Sequence, residues 1–267
     1  MIRLPAVAGQ FYPGTARELE LEIRRLTRDL PERISARGIV VPHAGYVYSG
    51  AVAGEVFSSV AIPDRLVIFC PNHTGLGADA ALMSRGAWKM PWGDVPIEEE
   101  LASRLLAASP VLSEDRSAHS REHSLEVQLP FIRRFRKDFR FVPIALGHLS
   151  LTECRALGET VADVLREDPS PPLLIASSDM THYEADAIAR KKDEKAISRI
   201  LALAPEGLYR TVRSERITMC GVIPATVMLF AALSLGAREA RLIKYATSGE
   251  VSGDYGQVVG YAGLAVL

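Results

Sequence analysis

Two histidines stand just beyond apolar, β-branched-rich segments of this chain. His43 follows residues 38–41 by two positions, and His73 follows residues 66–70 by three. Each segment has the length and composition of a buried β-strand. Since open α/β sheets bind ligands beyond the carboxyl ends of their strands, the two imidazoles are expected to share one crevice. Imidazole is a common ligand of zinc, iron and copper, so the pattern predicts a metal site.

A carboxylate and another histidine follow a third segment of this kind. Residues 173–177 form an apolar run, after which come Asp179 and, three positions later, His182. If the strand breaks into a helical turn there, the two side chains project close together, and the carboxylate orients the imidazole and raises its basicity. In the alternative interpretation, Asp179 only caps a helix that begins near residue 183. Both roles can coexist.

Two further histidines carry weaker signals. His123 and Glu126 are spaced i,i+3 and would share one face of a helix. Such a pair suits a buried polar contact that supports the site, and it equally suits the surface. His148 follows a predicted strand after Gly147 and is interpreted as structural.

The three cysteines divide unevenly. Cys220 stands where an apolar helix is predicted to begin, and a thiol at a helix N-terminus has a depressed pKa. The thiolate would be a metal ligand or a nucleophile. In the alternative interpretation Cys220 is a small buried hydrophobic residue. Cys70 and Cys154 are interpreted as structural.

The bulk composition is that of a globular enzyme. The 267-residue chain is 48% hydrophobic and carries a formal net charge of −1, which gives no electrostatic reason to bind nucleic acid or an anionic membrane. No stretch reaches the roughly 20 apolar residues of a membrane span, and the start lacks the apolar core of a signal peptide. Three widely spaced cysteines give no disulfide framework, so a cytoplasmic location is expected.

Strand-like and helix-like segments alternate along the whole chain, without a linker or repeat. This alternation predicts a single α/β domain over residues 1–267, with a central, mostly parallel or mixed β-sheet and helices on both faces. The predicted strands are residues 38–41, 66–70, 80–84, 141–146, 173–177, 241–247 and 257–266. The predicted helices are residues 15–30, 50–60, 96–109, 124–135 with a kink at Pro130, 150–166, 185–204 and 221–235.

Short motifs are distributed along essentially the whole chain. They are residues 3–13 at the start, His43-Ala44-Gly45-Tyr46, Pro71-Asn72-His73, residues 122–126 with Gln128-Leu129-Pro130, Ser177-Ser178-Asp179 with His182, and Cys220-Gly221. These motifs and their order resemble those of the Memo family, whose bacterial and archaeal members are called AmmeMemoRadiSam system protein B. Together they make the resemblance specific.

The resemblance implies roles for five of these side chains. The Memo fold is similar to that of class III extradiol dioxygenases, which hold non-haem Fe(II) in a crevice at the sheet edge. By this resemblance His43, His73 and Cys220 are the metal ligands. Asp179 and His182 then lie beside the metal, with His182 at the general acid/base position. The dioxygenases use two histidines and a carboxylate, so a cysteine here replaces the carboxylate, which favours copper or zinc over iron and weakens the case for ring cleavage.

The function implied by the resemblance is that of a metal-binding protein with a non-haem, oxidoreductase-like site. The cofactor is expected to be iron or copper, with zinc as a further option, and the ligand of the cleft a small molecule or a peptide. A non-enzymatic module that binds a peptide or protein in the same cleft, and a metal-assisted hydrolase, are the alternatives. The family name also suggests AMMECR-type and radical-SAM proteins as partners. The animal relative is described as a redox-active metal protein and as a binder of phosphorylated receptor peptides.

Overall fold

A computed structural model describes residues 1–267 of the chain. It contains twelve strands and nine α-helices. The strands are β1 Ile2–Arg3, β2 Gly38–Val41, β3 Arg65–Pro71, β4 Ala80–Leu82, β5 Ala87–Met90, β6 Gly93–Pro96, β7 Ser113–Glu114, β8 Arg140–Leu146, β9 Leu173–Ser177, β10 His182–Glu184, β11 Ala240–Thr247 and β12 Val258–Val266. The helices are α1 Ala16–Leu26, α2 Tyr46–Ser59, α3 Glu99–Ala108, α4 Leu129–Phe135, α5 Leu151–Arg166, α6 Asp186–Leu201, α7 Pro205–Ser214, α8 Val222–Ser234 and α9 Gly249–Ser252.

Nine of the strands form one mixed sheet. Its order is β10-β12-β2-β9-β3-β8-β4-β7, with β11 also paired to β12. The four strands β2, β9, β3 and β8 are parallel, whereas β12 and β4 flank them in antiparallel pairing. The parallel strands read as continuous apolar runs because helices cover both of their faces. The predicted α/β fold with a mixed sheet is thereby confirmed.

The register of the parallel strands aligns their carboxyl ends. Val41 of β2 pairs with Ser177 of β9, and Phe69 of β3 pairs with Ala176 of β9. The residues that follow β2, β9 and β3 therefore leave the sheet at one edge, side by side. This is the edge at which open α/β sheets bind ligands.

The helices form two groups around this sheet. Helix α8 packs against β2, β9 and β3 and against α5, while α2 packs against β2, β11 and β12. The core between the layers comprises 73 buried apolar residues. Gly158 of α5 makes the contact with α8 close, since a Cβ there would lie 2.7 Å from the carbonyl oxygen of Val227.

Most of the predicted elements are present, with shifted ends. Strands 38–41 and 173–177 agree with the prediction, and Thr15 and Ser150 accept hydrogen bonds as N-caps of α1 and α5. The kink predicted at Pro130 is wrong. A short 3₁₀ turn precedes α4, and Pro130 lies in the first turn of α4, where its missing N–H costs nothing.

Several parts of the fold are not predicted by the sequence pattern. They are the three-stranded sheet β1-β5-β6, the helices α7 and α9, and the short strands β7 and β10. Each of these strands has four residues or fewer, too short for a periodic pattern to be distinctive. None of the helices combines the length and the apolar composition that crossing a bilayer requires.

Candidate metal centre

Three imidazoles meet at the carboxyl edge of the parallel strands. His43 follows β2, His73 follows β3, and His123 comes from the loop before α4. One ring nitrogen from each lies within 4.8 Å of the others. The ring centroids are separated by 5.1 Å for His43 and His73, 5.6 Å for His43 and His123, and 4.8 Å for His73 and His123. We call these three side chains the histidine cluster.

Hydrogen bonds at the end of β9 determine which ring nitrogen of His43 carries the proton. Its Nδ1 lies 2.9 Å from the hydroxyl of Ser177. That hydroxyl donates its proton to the carbonyl of Ser124 at 2.7 Å and accepts from Gln128 at 2.9 Å. Since the hydroxyl proton is used, Nδ1 of His43 must donate to it, and the lone pair is left on Nε2. Burial holds the pKa of His43 well below its ordinary value, so this ring is neutral.

Glu122 orients the ring of His73 by hydrogen bonds, as Ser177 does for His43. Its carboxylate accepts from Nδ1 of His73 at 2.9 Å and from the backbone amide of the same residue at 2.7 Å. It also accepts from the amide and the hydroxyl of Ser124, and one oxygen lies 3.5 Å from Nδ1 of His123. Burial alone would raise the pKa of Glu122, but its bonds to His73 and Ser124 outweigh burial and lower it to about 2. A carboxylate that orients a histidine in this way is common beside bound metals.

Cys220 lies against the histidine cluster at the entry to α8. Its Sγ is 3.2 Å from Nε2 of His43 and accepts a hydrogen bond from the amide of Asp179 at 3.3 Å. Gly221 allows this approach, because a Cβ at that position would lie 2.3 Å from the carbonyl oxygen of Ser177. The expected depression of the thiol pKa is wrong. Burial and the nearby Asp179 carboxylate raise the pKa of Cys220, so the free side chain is a thiol.

Asp179 and His182 both line the crevice, but not through a helical turn. Asp179 accepts from the amide of His43 at 2.7 Å, and burial raises the pKa of its carboxyl to about 6. His182 lies in β10, which pairs with β12, and α6 begins only at Asp186. Asp179 therefore caps no helix near residue 183. Nδ1 of His182 lies 2.9 Å from the carbonyl of Thr218, which can only accept, so the lone pair of the neutral ring is on Nε2.

The expected pairing of His123 with Glu126 does not occur. His123 belongs to the histidine cluster, whereas Glu126 points to the N-terminal segment. Its carboxylate forms a buried ion pair with Arg3 and accepts from the hydroxyl of Tyr12 at 2.6 Å. The 3₁₀ turn over residues 126–128 separates the two side chains, since its geometry differs from that of the predicted helix. Through Tyr12, Glu126 holds the segment that places Phe11 against the ring of His123, with centroids 4.8 Å apart.

Sequence reasoning missed three supporting residues. Glu122, Gln128 and Ser177 occur in the motifs quoted above, yet nothing in their spacing shows that their hydrogen bonds orient imidazoles. Ser177 is the last residue of β9, which the register places beside β2. His148, as expected, lies outside the histidine cluster and is exposed.

An open cavity of about 730 Å³ adjoins the histidine cluster. Aromatic side chains contribute much of its wall, and Asp179 and Asp254 contribute the carboxylates. It contains no lysine or arginine. We call it the histidine cavity. Its lining residues are Gln10, Phe11, His43, Ala44, Gly45, Val47, Tyr48, His73, His123, Asp179, His182, Tyr183, Ser248, Ser252, Asp254, Gln257, Val259 and Tyr261.

The protein is of the α/β class, with a histidine-lined crevice at the carboxyl edge of the parallel strands in a mixed sheet. Among solved structures, an uncharacterised protein from Escherichia coli K12 is similar with a TM-score of 0.60, covering 85% of this chain and 98% of that one. The sequences are 12% identical, so this likeness concerns the fold alone.

Sequence comparison gives the family. The family described as Memo-like protein matches residues 3–265. A MEMO1 family protein from Methanopyrus kandleri is 45% identical over 278 residues, covering 99% of this chain and 98% of the relative. Another, from Aquifex aeolicus, is 43% identical over 268 residues, covering 100% and 99%. The chain belongs to the Memo family, as its motifs predicted.

Proposed function

We propose that this chain is a metal-binding protein whose centre is built on the histidine cluster. The observation that carries the proposal is the convergence of three ring nitrogens within 4.8 Å. The Nδ1 atoms of His43 and His73 are held by Ser177 and Glu122, which leaves their Nε2 atoms free to bind. Burial lowers the pKa of His43 and of His123, so these imidazoles carry lone pairs rather than protons at neutral pH. A cation is the ligand that such a donor set fits.

The third ligand is either His123 or Cys220. The family resemblance implies Cys220, whose Sγ lies 3.2 Å from Nε2 of His43. The histidine cluster offers His123 as the other donor. With its thiol pKa raised by burial, Cys220 would become a ligand only by giving up its proton to solvent or a neighbour. The donor set suits iron, copper or zinc, and a bound redox metal would supply electron transfer at the floor of the cavity.

An oxidoreductase-like reaction is the finer part of the proposal. The carbonyl of Thr218 takes up Nδ1 of His182, so Nε2 of this ring is the nitrogen that can accept a proton from a substrate bound in the histidine cavity. Asp179, with a pKa of about 6, can hold a proton close to His43. Since the cavity contains no lysine or arginine and has aromatic walls, the substrate is a neutral or cationic small molecule with an aromatic or apolar part.

A peptide or protein ligand is the second candidate. Val47 and Tyr183 at the rim of the histidine cavity are 63% and 74% exposed. Tyr183 also adopts a φ of 59°, an unusual backbone conformation for a bulky residue. Exposed apolar side chains around a cleft are typical of a docking surface. Oxygen consumption over a substrate panel with the Fe(II)-loaded protein distinguishes the candidates, because a binding module alone consumes no oxygen.

Metal content tests the centre itself. Purified protein is expected to hold about one metal ion per chain after anaerobic loading, measured by inductively coupled plasma mass spectrometry. His43→Ala and His73→Ala should each lose most of this metal, because each removes a ligand whose orientation the fold already provides. His148→Ala is the matched control, since His148 follows a neighbouring strand at the same edge and should leave metal content unchanged. Equal metal in all four proteins would refute the centre.

Cys220 is expected to set the preference among metals. Cys220→Ser should weaken zinc and copper(I) binding more than Fe(II) binding, because the soft thiolate contributes most to thiophilic metals. Competition titrations against a chelator of known affinity measure the three constants. If the three affinities fell equally, Cys220 would not set the preference among metals, and if none of them fell, Cys220 would have no role as a ligand. The parallel variant His123→Ala then identifies the third donor.

His182 is expected to act on the substrate rather than on the metal. His182→Ala should retain the fold and the metal content while losing about 10²–10⁴-fold of any turnover, the range for removal of a general acid or base. Circular dichroism and metal analysis serve as controls on the same sample. If the variant loses metal as completely as His43→Ala, His182 is a ligand and the assigned role is wrong.

A further inference from the structure

A second cavity of about 500 Å³ lies on the Cys220 side of the centre. His73 belongs to the walls of both cavities, whereas Cys220 lines only this one, which we call the thiol cavity. Part of the wall of the thiol cavity is formed by the end of α7 and the segment after it, which contribute Arg213 and Arg216. The candidate metal centre therefore lies between two separate openings.

The two cavities differ in charge. The histidine cavity has two carboxylates and no lysine or arginine, whereas the thiol cavity is lined by Arg213, Arg216 and His148. Asp79 is the one carboxylate in the thiol cavity, and its Oδ1 is occupied by the backbone amide of His148 at 3.1 Å. Neither guanidinium forms an ion pair within 4.0 Å of a carboxylate. The positive charge of this cavity is thus available to a ligand.

Arg213 is held in place before any ligand binds. Its guanidinium carbon lies 4.5 Å from the centre of the Tyr209 ring, a cation–π contact. The hydroxyl of Tyr209 donates to the carbonyl of Leu149 at 3.1 Å, so the ring is itself anchored to the loop between β8 and α5. A guanidinium that is fixed in advance loses less entropy when it binds an anion.

Arg216 occupies a backbone position that favours glycine. Its φ is 51°, and the amide of Ile217 reaches back to the carbonyl of Val212 at 2.9 Å, so Arg216 is the left-handed residue that ends α7. Glycine or asparagine is usual there, because in the left-handed conformation the Cβ of other residues crowds the following carbonyl oxygen. Residues in such conformations often serve a functional site.

From these observations we propose that the thiol cavity binds a small anionic ligand, with a carboxylate or phosphate group held by Arg213 and Arg216. The inference goes beyond the proposed metal centre and does not require it, since neither arginine belongs to the histidine cluster. Where a metal is bound, the anion would lie on the Cys220 side, and the neutral or cationic substrate would enter through the histidine cavity. The two openings would then take different ligands, an anion in the thiol cavity and a neutral or cationic molecule in the histidine cavity.

Anion binding by the metal-free protein tests this assignment. Isothermal titration calorimetry with inorganic phosphate and, separately, with acetate is expected to show saturable binding of at least one of them, and the preferred anion identifies the group. Arg213→Ala and Arg216→Gly should each weaken that binding about ten-fold, the loss expected for one charged hydrogen-bonding partner. Arg210→Ala on the same helix, outside the cavity, should leave it unchanged.

Arg216→Gly separates binding from folding. Because glycine relieves the left-handed conformation, this variant should melt about 2 °C higher while binding the anion more weakly. A structural role alone would not move the two quantities in opposite directions. Absence of saturable binding for both anions, or binding that both arginine variants retain, overturns the proposal. The metal content of the same variants should match that of the unmodified protein. A negative result for the anion site can therefore be distinguished from a negative result for the metal centre.

Discussion

Replacing Glu126 by alanine is expected to lower the free energy of unfolding by about 3–5 kcal/mol, the range for breaking a buried ion pair by removing one partner. Arg3 is 2% exposed and Glu126 is completely buried, so the substitution leaves a guanidinium in the core without its counter-charge. The same carboxylate accepts from the backbone amides of Ala6 and Val7 and from the hydroxyl of Tyr12. These donors also lose their partner, and each unsatisfied donor adds to the cost.

Urea unfolding followed by circular dichroism measures this loss. Glu206→Ala is the matched control, since Glu206 pairs with Arg155 on the surface, where both side chains are more than 40% exposed. A surface pair of this kind contributes about 0–1 kcal/mol. If Glu126→Ala costs no more than the control, the N-terminal segment is held by its apolar contacts rather than by this carboxylate.

Glu122→Gln is expected to weaken metal binding by about 10–100-fold, the usual effect of removing a carboxylate that orients a ligating histidine. The substitution keeps the shape of the side chain but removes the charge that accepts from Nδ1 of His73 at 2.9 Å. It also disturbs the bonds to Ser124, which in turn accepts from Ser177 behind His43. Two of the three imidazoles thus depend on this one carboxylate.

Chelator competition with zinc measures this second effect, and Glu153→Gln serves as the control. Glu153 belongs to the exposed capping box of α5, away from the centre, so its replacement should alter stability slightly and metal affinity not at all. An affinity that changes less than about three-fold in Glu122→Gln would show that His73 is oriented by its backbone position alone. The prediction depends on the proposed metal centre, which His43→Ala tests independently.

Much of the fold can be predicted from local patterns in the chain. The apolar runs at residues 38–41 and 173–177 predicted β2 and β9, because parallel strands that are buried on both faces consist of consecutive apolar residues. Helices α1 and α5 were recognisable because Thr15 and Ser150 cap them locally. Local hydrogen bonding and hydrophobic periodicity are properties of short segments, so they can be read without knowing what the segment packs against.

The sequence also determined which histidines stand at strand ends. His43 and His73 were identified from their position after β2 and β3, since parallel strands end at one edge of a sheet. The family resemblance, confirmed by the match over residues 3–265, added Cys220 as an expected ligand. These arguments identify residues near the carboxyl edge of the parallel strands, but they do not give the distances between them.

Which side chains face each other depends on how the whole chain packs. His123 lies within the histidine cluster while Glu126 turns away to Arg3, although the two are three residues apart. Packing determined this division, because the 3₁₀ turn over residues 126–128 replaces the helix that the pattern favoured. The pKa of Cys220 is raised rather than lowered, because burial and the Asp179 carboxylate outweigh the helix end. Burial and long-range contacts depend on the whole fold, so no local pattern contains them.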